Sequence, residues 1–182
     1  MRRTFKAEDY LHLADTLAGR TARQGRPRTA YLRRATSTAY YALFHELVRH
    51  GANRAVQNGP EDHQHAIGRW YAHGNFRQVA RWVENINSGR SAPTAAVRLL
   101  TTRGQVNADL VILAISFSDL QDARHGADYD PDYDATRSAT LGQVNTARSA
   151  IEAIRRMDKY KLHEFDMFLL LALGGERMLR NG

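Results

Sequence analysis

Ala-Thr-Ser-Thr-Ala-Tyr-Tyr-Ala-Leu-Phe-His, residues 35–45, reads as one helix with a polar edge. Around it Leu32, Tyr40, Leu43, Phe44 and Leu47 recur at helical spacing on one side, the broad apolar stripe of a helix packed in a bundle. Arg34, Tyr41 and His45, spaced by seven and four, share a neighbouring edge that borders this stripe. Sustained two-residue alternation is absent elsewhere, while stripes of period 3.6 recur, so the fold class expected is all-α. Helices are expected at about 6–19, 28–50, 62–87 with a break near Gly74, 94–123, 134–158 and 161–180. Gly19 and Gly51 suit helix C-termini, Pro60 and Pro93 precede helix starts, and Asp134 is placed to cap the helix after the Pro131 turn.

A second string, Ala-Arg-His-Gly-Ala-Asp-Tyr-Asp-Pro at 123–131, sits where the fourth of these helices ends. Its main stripe runs through Val106, Leu110, Leu113, Phe117 and Leu120, with Val111, Ile112 and Ile115 on the flanks, and this helix is expected to be the most buried. Four residues beyond Leu120 the stripe reaches Arg124, an arginine on the core-facing side at the helix end. A guanidinium there needs a partner, because an unpaired buried charge costs several kcal/mol. Asp128, Asp130 and the terminal carbonyls are the local candidates. Two roles stand open: a cap that pins the following turn, or a phosphate ligand facing a cleft, for which the bidentate fork is well shaped. Leu141, Val144, Ala147, Ile151 and Ile154 repeat the bundle pattern in the next helix. Phe165, Phe168, Leu169, Leu171 and Leu173 make the last helix apolar enough to complete the bundle, to pair with a second copy, or both.

The chain has 182 residues, 43% of them hydrophobic, which suffices for one domain with a real core. No cysteine is present, so disulfides and thiolate metal sites are excluded. The first ten residues carry charge with no apolar run behind them, unlike a signal peptide, and the apolar stretch from Met167 to Leu173 falls far short of the roughly 20 residues that span a bilayer. A soluble cytoplasmic protein with no membrane contact is expected. The net charge of +7 favours a polyanionic partner, since arginines and lysines gain affinity by releasing counterions from phosphates. The charge is unevenly spread. Arg20, Arg23, Arg26, Arg28, Arg33 and Arg34 crowd one stretch, and Asp119, Asp122, Asp128, Asp130, Asp132 and Asp134 another. The basic run reads as a solvated loop and helix start, as a nucleic-acid surface, or as a patch that meets the acidic one across a homodimer.

The two strings, with His63 and His65 between them and a closing amphipathic helix, together resemble small bacterial proteins of the HEPN family over about residues 30–155. The resemblance implies a four- to five-helix bundle, here with an additional C-terminal helix, usually paired as a homodimer around a composite cleft. It also implies a bacterial defence or toxin–antitoxin-type role, and a cognate partner such as a nucleotidyltransferase. In members that cut RNA, an Arg-x(4–6)-His motif works without a metal: the arginine steadies the scissile phosphate and the histidine moves protons. Arg124 matches that arginine. The histidine has no match, since Tyr129 stands five residues on and His125 is adjacent. Tyrosine, with a pKa near 10, is a poor base at neutral pH. The reading is therefore an HEPN-like protein that binds nucleic acid or a partner protein without the canonical ribonuclease pair. Its alternative is a metal-independent endoribonuclease using Arg124 with a displaced histidine, His125 or His45. Tyr41, Asp128 and Tyr129 are expected to build the cleft, and Arg23, Arg26, Arg28, Arg33 and Arg34 to contact nucleic acid.

Other constellations carry less. Arg156 and His163 have the family spacing but straddle a helix junction. His63 and His65 point apart on a helix, which disfavours a shared metal. Asp128, Asp130, Asp132 and Asp134 alternate like a calcium loop but lack its glycine and closing glutamate. No phosphate-binding glycine loop or nucleophile elbow is present, and no cofactor or metal is expected.

Overall fold

The computed structural model describes residues 6–20, 25, 27–57 and 59–174. Within them the chain forms α1 (Ala7–Leu17), α2 (Thr29–Ala55), α3 (Glu61–Gly68), α4 (His73–Asn87), α5 (Thr94–Leu100), α6 (Ala108–Tyr129), α7 (Arg137–Lys159) and α8 (His163–Gly174). No strand occurs among the described residues, only an isolated bridge between Thr102 and Gln105.

The helix starts follow local chemistry. Asn107 caps α6 by accepting from the Asp109 N–H at 2.9 Å, and Asp109 itself complements the positive helix end. Thr136, two residues after the expected Asp134, caps α7 through the Ala139 N–H at 3.2 Å. Pro60 and Pro93 precede α3 and α5 as expected, and Gly19 turns the chain after α1 at φ +76°, a conformation that favours glycine.

Three boundaries differ from the sequence reading. Gly51 does not end α2, which runs on to Ala55. Glycine is needed there for proximity instead, because a Cβ at 51 would lie within van der Waals distance of the Tyr71 hydroxyl and ring. The expected 94–123 helix is two helices separated by the turn at Thr102–Gln105, where Arg103 and Gly104 take positive φ. At its far end α6 continues through Tyr129, so Arg124 lies within the last two turns rather than at the terminus. The break expected near Gly74 does occur, at 69–72, and leaves His73 as the first residue of α4.

The core is a packed trio of α2, α6 and α7, with α1 against α2 and α7, and α4 inserted between α6 and α8. α2 is the most buried helix, with Leu32, Ala39, Tyr40, Leu43 and Leu47 all sequestered. α6 is not, since Ile112 and Ile115 are 39% and 45% exposed; the flank that widened its apolar stripe faces outward. Phe76 joins the layers. It is fully buried, stacked on Tyr71 at 5.1 Å and on Phe168 at 6.1 Å, edge-on to Phe44, and within 5.7 Å of Phe117. Phe165, Phe168, Leu169 and Leu171 bury α8 against this cluster, while Leu170 stays 44% exposed. No helix among the described residues is long and apolar enough to cross a membrane.

Several arginines close the bundle by serving carbonyls or carboxylates inside the chain. Arg137 donates to Ala18 and Gly19 oxygens at the end of α1. Arg20 and Arg148 both pair with Asp15, and Arg156 pairs with Asp109 at 2.7 Å, which gives Arg156 a structural task. Arg33 is the most committed: it donates to the oxygens of Ala127 at 2.8 Å, Asp130 at 2.5 Å, Pro131 at 3.3 Å and Tyr133 at 3.5 Å. These are the orphan carbonyls at and beyond the end of α6. Gly126 allows the same loop to fold back, because a Cβ there would meet the Tyr133 ring at 2.6 Å. Arg33→Ala is expected to cost about 1–3 kcal/mol by stranding these acceptors, read as a lower urea midpoint. A loss below 0.5 kcal/mol, on the order of an ordinary surface change, would show that water replaces the guanidinium.

Candidate functional site

One edge of α2 presents Ser37, Tyr41 and His45 at successive i, i+4 positions. The last turns of α6 bring Arg124, Asp128 and Tyr129 against this edge, and the first turn of α4 brings His73. The anchor is Asp128. It accepts from the Ser37 hydroxyl at 2.5 Å and holds Arg124 by an ion pair from Nε at 2.8 Å, with both side chains about four-fifths covered. Arg124 Nη2 donates to the hydroxyls of Tyr41 at 3.0 Å and Tyr129 at 3.3 Å. The guanidinium lies 5.6 Å and 5.3 Å from the two ring centres, so it sits between two aromatic faces. Burial opposes its charge, but Tyr41, Asp128 and Tyr129 outweigh that and keep it firmly protonated.

Two imidazoles lie beside this group. His45 stacks on the Tyr41 ring at 6.0 Å with planes 27° apart. His73 packs on Phe44 at 3.8 Å between ring centres, and its Nδ1 is 2.5 Å from the Tyr40 hydroxyl. Burial raises the Tyr40 pKa, so the phenol keeps its proton and fixes the orientation of His73. Burial lowers the pKa of His45, and burial with the Arg124 and His45 charges lowers that of His73. Both imidazoles are therefore neutral at pH 7 and able to accept a proton.

A histidine whose folded pKa lies below 6.5 binds fewer protons folded than unfolded, so stability is lost as pH falls through 6.5 toward the folded value. The urea midpoint is expected to drop between pH 7.5 and 5.5, and His73→Gln should flatten that slope. Glu46 acts in a separate window. Burial favours its neutral form, but bonds from His50 and Arg49 hold its pKa at about 2, so its contribution is lost only from about 4.5 downward. An unchanged slope in His73→Gln would remove His73 from the titration.

The sequence-predicted residues thus divide. Arg124, Asp128, Tyr129, Tyr41 and His45 converge. His125 is exposed and meets only the outer edge of the group, through the Tyr129 ring at 5.1 Å. Arg28 and Arg34 are exposed on α2 and just before it, whereas Arg33 is turned inward to the α6 carbonyls instead of outward to phosphate. Arg23 and Arg26 lie outside the described residues. His63 and His65 are exposed on α3, and no group of three or more metal-ligating side chains occurs among the described residues. His73 was missed by sequence reasoning. The one signal that pointed near it was the helix break at Gly74, which places an imidazole on a helix start.

Comparison with protein-family models, with curated proteins and with solved structures found no match.

Proposed function

We propose that the chain is an HEPN-like helical protein of a bacterial defence or toxin–antitoxin-type system that binds RNA through Arg124. The observation that supports this is the setting of that guanidinium: tethered at Nε by Asp128, flanked by two tyrosine rings, and adjacent to two neutral imidazoles. A guanidinium so held is preorganised for a phosphate, and the tyrosine faces suit unstacked bases. Arg28 and Arg34, with Arg23 and Arg26, would add phosphate contacts. A homodimer is part of the proposal, because Ile112, Ile115 and Leu170 leave apolar surface uncovered on one chain. Engagement of a cognate protein such as a nucleotidyltransferase is compatible with the same surface.

The neutral pair His45 and His73 favours a second reading, metal-independent cleavage. One imidazole takes the proton of a ribose 2′-hydroxyl, that oxygen attacks phosphorus to close a 2′,3′-cyclic phosphate, and the imidazolium so formed returns the proton to the 5′-oxygen as its bond to phosphorus breaks. Arg124 offsets the charge that develops on phosphate. The test is purified protein incubated with single-stranded RNA in excess EDTA, with binding and cleavage followed separately. Salt-sensitive binding without cleavage supports the first reading, cleavage lost in His45→Ala or His73→Ala supports the second, and neither activity overturns both.

A further inference from the structure

We infer that the outer face of α4 is a trough for single-stranded RNA leading away from Arg124, an inference that rests on the reading of Arg124 as a phosphate ligand. Gly74, Arg77, Gln78, Arg81, Trp82 and Asn85 line an open depression of about 420 Å³. It begins one residue after His73, which belongs to the Arg124 group. Arg124 and Arg77 both lie within electrostatic reach of the Tyr40 hydroxyl that holds His73.

From His73 two guanidiniums continue along the same helix, Arg77 and then Arg81, at four-residue intervals with a rise of about 6 Å each. A row with that spacing suits successive phosphates of one extended strand, whereas a duplex would present two backbones. Arg77 is aimed by its bond to the Ser118 carbonyl at 2.8 Å, and its carboxylate partner Asp122 is 69% exposed at 2.7 Å. Exchange of so solvated a carboxylate for a phosphate costs little. Arg81 is exposed and has no ion-pair partner among the described residues. At Gly74 a Cβ would meet nothing within 4 Å, so the passage beside His73 is open. Gln78 and Asn85 also line the depression, with the Asn85 amide held by its bond to the Ser91 carbonyl at 3.0 Å.

The trough and the Arg124 reading can be tested apart. A 12-nucleotide single-stranded RNA is titrated by fluorescence anisotropy over a salt series, and a dinucleotide by chemical-shift changes, for wild type, Arg81→Ala, Arg81→Glu and Arg124→Ala. Arg81→Glu is expected to weaken the 12-mer about tenfold, and Arg81→Ala to reduce its salt slope by about 0.7. Neither changes dinucleotide binding, while Arg124→Ala weakens both ligands. Wild-type affinity and salt slope for the 12-mer in both Arg81 variants would overturn the trough. So would displacement of the 12-mer by polyglutamate of equal charge as readily as by unlabelled RNA, which would mark a surface for an acidic protein. An Arg81 effect that persists while Arg124→Ala binds both ligands normally would support the trough and refute the Arg124 reading.

Discussion

Arg124→Ala is expected to reduce RNA binding at least tenfold and to abolish any cleavage that survives EDTA. The side chain supplies both the phosphate ligand and the positive field beside His73, and no other described cation occupies that position. Folding should also weaken. Asp128 would keep its Ser37 bond but lose its countercharge, and the Tyr41 hydroxyl would lose its donor, together about 1–3 kcal/mol. Arg124→Lys should restore little, since an ammonium cannot reach Asp128 and both tyrosine hydroxyls in the planar arrangement that the guanidinium spans. Urea titration separates the two effects: a folded variant without binding supports the site, and RNA cleavage retained by folded Arg124→Ala excludes it.

The largest stability effect is expected at Phe76. Truncation to alanine removes a fully buried ring that touches aromatic neighbours from α2, α6, α8 and the segment before α4. The loss should be about 3–5 kcal/mol, and for a domain of this size the melting temperature should fall on the order of 10 °C. Phe76→Leu should recover much of it. Because Phe76 seats the first turn of α4, the alanine variant should also disturb the His73 environment, visible as a shift of its imidazole resonances toward those of a free histidine. A cost below 1 kcal/mol would contradict the packing of α4 between α6 and α8.

The helical class, the stripes of α2, α6, α7 and α8, and the partnership of Arg124 with Asp128 were all legible in the chain. Each depends on residues within a turn or two of one another: a 3.6-residue period, a proline before a helix, an i, i+4 ion pair. Boundaries were less legible where distant parts intervene. Gly51 carries the local mark of a helix end, yet α2 continues because the glycine is needed to admit Tyr71 from another segment. Arg33 shared the composition of its basic neighbours, and only the arrival of the α6 end beside α2 turned it to main-chain carbonyls. Ile112 and Ile115 looked buried on pattern alone, but no described helix covers that side of α6.

His73 marks the division most clearly. The sequence by itself determined that this is an all-helical chain, that Arg124 stands on the core-facing side of its helix, and that Tyr41 and His45 share an edge. Which of the eight histidines would lie beside that arginine was decided only by the tertiary structure. His45 is carried there by α2, but His73 is brought by the docking of α4, through Phe76, onto a surface assembled from three other helices. Helical periodicity is a property of neighbours in sequence, whereas that docking is a sum of contacts between residues tens of positions apart. No local pattern records it.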